Sequence, residues 1–160
     1  MANDARRPSG RLLPQTGELQ VWREFIEAFE ELRSEVASRL LAETALSAGD
    51  YVILLALSEA AGGRLRSSQL AEAVAWERSR LSHHLGRMER WGLIRREECL
   101  ADSRGAEVVL TTDGAAAFRH ATVPHLRAVR ELFVDAFAPD QLDAIASIAS
   151  TLRAHLRSIN

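Results

Sequence analysis

The sequence predicts a mainly α (α+β) fold in its 160 residues: four helices, a short two-stranded hairpin, then two more helices. Three observations predict it. Apolar residues recur every three or four positions near both ends of the chain, the period of an amphipathic helix. Two shorter helical patterns adjoin each other between residues 67 and 91. They are followed by two short stretches rich in apolar and β-branched residues around the turn-forming ADSRG, the pattern of a hairpin.

Each element can be justified in order. Residues 1–17, MANDARRPSGRLLPQTG, are polar with scattered Pro and Gly and lack the apolar core of a secretory signal. They read as a disordered arm, and the protein as cytoplasmic. No apolar run approaches the roughly 18 residues that span a membrane. From Glu18 to about Glu43, Phe25, Phe29, Leu32, Val36 and Leu40 follow helical spacing. Ser47 with Asp50 three residues later forms a capping box, and Gly62-Gly63 is a helix stop, so a second helix covers about Ala48 to Ala61. RLRSSQLAEAVAW supplies a short third helix with Ser67 or Ser68 at its start and Leu70 and Val74 facing inward. A fourth runs from roughly Glu77 to Trp91 and stops at Gly92. LIRREECL and AEVVLT are the hairpin strands. Thr111 or Thr112 caps a fifth helix that reaches about Phe137 and that Pro124 must kink or interrupt. Pro139 opens the last helix, with Leu142, Ile145, Leu152 and Leu156 on one side.

Charge is unevenly placed. The formal net charge is only −2, and all 20 basic side chains are arginine, which a codon bias toward Arg and Ala would produce. Residues 18–59 nevertheless hold nine acids against three arginines, whereas residues 64–104 hold nine arginines against six acids. Such asymmetry is expected when one face meets a polyanion.

The fourth helix carries that face. At about 100° per residue, Leu81, Leu85 and Met88 fall in one stripe, the core side. Opposite lie Ser79, His83, Gly86 and Arg90, flanked by Arg80 and Arg87, with no acid among them. Neighbouring like charges weaken a helix, and a face shaped for solubility alone interleaves acids. With the short helix before it, this makes a helix-turn-helix whose second helix enters the major groove of DNA. Arginine there can read guanine bidentately or neutralise phosphate. Ser67 and Ser68, at a helix N-terminus, suit a backbone phosphate. The hairpin is a wing whose tip, Arg104 beside Asp102 and Gly105, reaches toward the minor groove. Arg95 and Arg96 lie on opposite faces of the first wing strand, so at most one of them helps.

The segment DSRGAEVVLTTDG, residues 102–114, resembles the wing of the MarR family of transcriptional regulators: D-x-R, a strand, L-T and a Gly. SSQLAEAV and RLSHHLGRMERWGLIRRE match that family's paired helices, and the resemblance runs from about Leu19 to Leu156. It implies a winged helix-turn-helix with long N- and C-terminal dimerisation helices. Residues 47–111 would form the DNA-binding lobe, and residues 18–46 and 112–160 the dimerisation helices. It also implies a homodimer on a pseudo-palindromic operator in double-stranded DNA, acting as a repressor. Recognition contacts would map onto Ser79, Arg80, Ser82, His83 and Arg87, with Arg90 on the same face, and the wing contact onto Arg104, which Asp102 would hold in shape. His83 stands where many members carry Arg. Ala75-Trp76 stands where the recognition helix usually has a Ser or Thr cap.

The resemblance further implies release from DNA by a small aromatic or acidic effector bound between the dimerisation helices and the lobe. Trp22, Phe25, Tyr51, Trp76 and His84 are candidates to line that cleft, with Arg23 and Arg39 to counter a carboxylate. The single cysteine, Cys99, is a candidate oxidant sensor, but the negative charge of Glu97 and Glu98 beside it in the sequence would raise its pKa and slow its chemistry. His120 and His125 lack a nearby Cys to complete a zinc site. Neither gives good support to a redox- or metal-responsive regulator, and no cofactor is expected. Without a phosphate loop, a G-x-S-x-G elbow or H-E-x-x-H, the sequence offers no enzyme motif. The competing reading is a dimeric protein-interaction module whose arginines meet an acidic protein.

Overall fold

A computed structural model of the protein describes residues 13–98 and 106–159. The predicted positions Cys99, Asp102 and Arg104 lie outside these residues. The chain divides into two compact units, one ending at Ser34 and the other starting at Glu35.

The first unit contains the N-terminal part of α1 (Thr16–Thr44). The backbone N–H of Gln15 donates to Glu18 Oε2 at 2.9 Å, and that acid lies in the first turn, where the helix dipole favours it. Thr16 and Gly17 are therefore helical and not part of the arm. Phe25 and Phe29 stack with ring centroids 6.5 Å apart, and both are exposed along with Val21 and Trp22.

The second unit is organised by α2 (Ala48–Glu59), whose Ile53, Leu54 and Leu57 are fully buried. The capping box forms as expected. The Ser47 N–H donates to Asp50 Oδ2 at 2.8 Å, and the Asp50 N–H donates to Ser47 Oγ at 3.2 Å. Helix α2 ends at Glu59, ahead of a 3-10 turn, Ala61–Gly63, in which Gly62 and Gly63 take φ of 69° and 66°. Only glycine adopts that left-handed backbone without strain.

The chain then enters β1 (Arg64–Arg66), a strand that the sequence pattern does not predict. Helices α3 (Ser67–Ala73) and α4 (Arg78–Arg90) follow, then β2 (Ile94–Glu98) and β3 (Ala106–Leu110). The sheet is antiparallel in the order β1-β3-β2, with Val108 of β3 opposite Leu65 on one side and Arg96 on the other. Three residues are too few to show a period, so β1 is visible only through its pairing. Helix α3 is preceded by Arg66 and not capped by a serine; the Arg66 N–H donates to Gln69 Oε1 at 3.1 Å.

Helix α5 (Thr112–Leu132) ends short of the predicted Phe137 and passes through Pro124 without interruption. A missing N–H leaves one carbonyl without its usual donor but does not by itself end a helix held by packing. Ala121 and Ala128 supply that packing on the buried side. Helix α6 (Pro139–Ile159) begins at the predicted proline and has no buried residue; Ile148, Leu152 and Leu156 are exposed. Among the described residues no single helix is long and apolar enough to cross a membrane.

Candidate nucleic-acid interface

The core holds α4 by the stripe read from the sequence: Leu81, Leu85 and Met88 are buried. Ser79, Arg80, Ser82, His83 and Arg90 are exposed, and a side chain at Gly86 would meet nothing within 4 Å. No acid intervenes on this face. The N-terminus of α4 lies later than expected, with Glu77 as the flanking residue. Ala75 takes a left-handed φ of 53° in the turn between α3 and α4.

Ion pairing separates the arginines. On the wing, Arg96 donates from its backbone N–H to Glu89 Oε1 at 3.0 Å and from Nε to Oε2 at 2.8 Å. Arg95 pairs with Glu97, and Arg64 pairs with Glu107 at 3.3 Å. Neither Arg95 nor Arg96 is thus a free cation on β2. Arg78, Arg80 and Arg90 of α4 have no acidic partner among the described residues, and neither does exposed Arg66 ahead of α3. The sequence pattern does not single out Arg66 or Arg78. A helical projection sets Arg78 toward the apolar edge, but as the first residue of its helix it has no preceding turn to pack against. The Arg80 guanidinium lies 4.2 Å from the centre of the Trp76 ring, a cation–π contact that restricts its swing.

Arg87 differs from these. Its Nη2 donates to Asp50 Oδ1 at 2.9 Å, and its Nε is buried without a partner. His84 Nε2 lies 2.9 Å from the same oxygen. An ionised carboxylate only accepts, so this contact needs the His84 proton on Nε2, and Arg87 Nη2, 3.0 Å from that nitrogen, then shares the carboxylate with it and does not donate to the ring. Asp50 is 1% exposed. Burial alone pushes its carboxyl up, but hydrogen bonds from Ser47 and Arg87 outweigh this and hold it below the usual carboxylate range. Burial pushes the His84 imidazole down; Asp50 opposes that, Arg87 and Arg80 reinforce it, and the net shift is downward. Trp76 packs edge-on against His84 at 5.1 Å. A Cβ on Gly49 would lie 2.8 Å from both rings, so a side chain there would displace His84 or Trp76.

The serines before the recognition helix also divide. Ser68 is exposed, whereas the Ser67 hydroxyl donates to the Ala106 carbonyl at 3.0 Å and ties α3 to the wing. Within the second unit the predicted effector residues have different aromatic neighbours. Trp76 and His84 meet each other, but Tyr51 packs on His125 at 4.3 Å and Phe118 at 5.3 Å. Trp22 and Phe25 belong to the first unit and are exposed. Arg39 is engaged by Glu131 at 2.8 Å and Glu35 at 3.0 Å, while Arg23 is exposed. His120 is exposed, and His125 Nδ1 is buried without a partner. Among the described residues no group of three or more His, Cys, Asp or Glu side chains is placed to hold a metal ion.

A buried helix pair, a three-stranded wing sheet and an acid-free arginine face define a winged helix-turn-helix DNA-binding regulator. Comparison with known proteins agrees. A family model described as "Bacterial regulatory protein, arsR family" matches residues 52–96, from within α2 to within β2. No curated protein sequence matches the chain. Among solved structures, AbsC, a MarR family transcriptional regulator from Streptomyces coelicolor, is 37% identical with a TM-score of 0.83. The match covers 93% of this chain and 99% of that one. Sco3205, a MarR family regulator from the same organism solved in complex with DNA, is 33% identical with a TM-score of 0.85, covering 94% and 93%. BpsR of Bordetella bronchiseptica, whose DNA binding is regulated by 6-hydroxynicotinic acid, shares the fold at 20% identity and a TM-score of 0.73, covering 84% and 98%. The chain belongs to the MarR family of transcriptional regulators.

Proposed function

We propose that the protein is a homodimeric repressor that places α4 of each chain in the major groove of a pseudo-palindromic operator and releases it on binding a small aromatic or acidic molecule. The observation that carries the DNA-facing surface is the exposed row Ser79, Arg80, Ser82, His83 and Arg90, whose arginines have no acidic partner among the described residues while Arg95 and Arg96 of β2 are paired with acids. Arg104, in the segment between β2 and β3, and Ser68, in the first turn of α3, would add backbone or minor-groove contacts. Two copies would set their recognition helices roughly 34 Å apart, one turn of DNA. Exposed apolar side chains on α1 and α6 support the dimer. The relative regulated by 6-hydroxynicotinic acid supports an aromatic acid as effector class.

Fluorescence anisotropy against DNA from upstream of the protein's own gene, beside a scrambled duplex and at stepped salt, tests this. A duplex enriched by the protein from a random library is the second probe. Selective binding at two chains per site, weakening by orders of magnitude between low and moderate salt, is the expected result. Arg80→Ala should weaken binding to every sequence and flatten the salt dependence by about one unit for each phosphate that is no longer neutralised. Failure of the random library to yield any preferred sequence would overturn the reading in favour of an acidic protein partner. Titrating aromatic acids into the complex then tests release.

A further inference from the structure

The buried carboxylate on α2 has more to do than cap its own helix. Its two oxygens are divided between two tasks: Oδ2 accepts from Ser47 and closes the capping box, whereas Oδ1 faces away from α2 and accepts from His84 and Arg87 of α4. These two residues are three apart, and so lie on the same flank of the helix. One fixed acceptor thus limits both rotation of α4 about its axis and sliding along it. Arg87 is fixed through Nη2, while Nη1 has no partner among the described residues and the side chain is 37% exposed. The Trp91 ring lies 5.1 Å from the same guanidinium and limits its swing. Gly49, whose lack of a Cβ admits His84 and Trp76, completes the seat.

We propose that Asp50 is a positioning residue for DNA recognition: through His84 and Arg87 it sets the angle at which α4 presents its base-reading side chains, and it aims the free edge of the Arg87 guanidinium. Sequence discrimination depends on such angles because bidentate contacts to bases are directional, while phosphate attraction is not. Asp50 therefore governs the ratio of affinities for preferred and scrambled DNA more than affinity for DNA in general.

The proposal rests on α4 being the DNA-facing helix, and the test separates the two. The full-length protein, its Asp50→Asn variant and its Arg80→Ala variant are measured on a duplex enriched by the wild type from a random library and on its scrambled counterpart. Because discrimination is a ratio, loss of folded protein lowers both affinities and leaves it unchanged. Asp50→Asn is expected to reduce discrimination about tenfold while changing scrambled-DNA affinity little. In a background carrying His84→Gln and Arg87→Met, the same substitution should change the ratio no further, since its only route to the DNA is already gone. An unchanged ratio in Asp50→Asn, or an equal loss in both backgrounds, overturns the positioning role. If Arg80→Ala leaves binding to both duplexes intact, the assignment of the DNA-facing surface fails instead, and the inference fails with it.

Discussion

At the scale of single residues, the least expected feature is a shared acceptor: one oxygen of buried Asp50 serves both His84 and Arg87. Its consequence for pH dependence follows from the direction of the shifts. Both Asp50 and His84 titrate below their ordinary values in the folded chain. Such groups bind protons more readily when the chain is unfolded, so their contribution to stability is full at higher pH and declines with acidification. For His84 the decline begins near the ordinary histidine value, about 6.5, and continues until pH passes the folded value. His125, also pushed down by burial, adds in the same direction. Denaturant midpoints at fixed protein concentration should therefore fall between about pH 7 and pH 5. In His84→Gln the fall should be shallower; an unchanged slope would show that this imidazole does not carry the effect.

At the scale of elements, the junction between wing and α5 explains the family's L-T and Gly pattern in physical terms. The Thr111 hydroxyl accepts from the Gly114 N–H at 2.9 Å, capping α5, and donates to the Gly92 carbonyl at 2.6 Å, just past the end of α4. A Cβ at Gly114 would collide with the Leu93 carbonyl oxygen. The recognition helix, wing and α5 thus meet at one point that tolerates little added volume. Thr111→Ala should cost about 1 kcal/mol, the usual worth of an N-cap, measured by chemical denaturation. A neutral result would mean that water replaces the hydroxyl at both partners. Much of this element layer is legible in the sequence, because capping boxes, glycine stops and apolar stripes are local signals. Strand β1 and the unbroken α5 are not, since the one is fixed by pairing with β3 and the other by tertiary packing around Ala121 and Ala128.

At the scale of the whole molecule, apolar surface is left uncovered in the single chain. Leu152, Leu156 and Ile159 on α6 are exposed, and so are Trp22, Phe25 and Phe29 on α1. Rows of this kind on helices of 21 and 29 residues are the surface a second copy would cover. On the proposed dimer, replacing Leu152 and Leu156 together by Asp should halve the mass seen by light scattering and abolish the tight DNA binding that two recognition helices on one duplex would give. A doubly substituted protein that stays dimeric would place the interface elsewhere.

The sequence by itself determined the order of the helices, the inward stripe of α4, the capping box of α2 and the DNA-facing candidates Ser79, Arg80, His83 and Arg90 as an outward row. Each of these follows from periodicity or from partners within four residues. Only the tertiary structure decided which arginines are free. Arg80 and Arg87 look alike on a helical wheel, yet Arg87 is held by an acid 37 positions earlier and Arg80 rests on an indole. The division of Ser67 from Ser68, and of Tyr51 from Trp76, was settled in the same way. Charge and hydropathy patterns report which side of a helix faces water; a long-range partner leaves no period in the chain, and only packing reveals it.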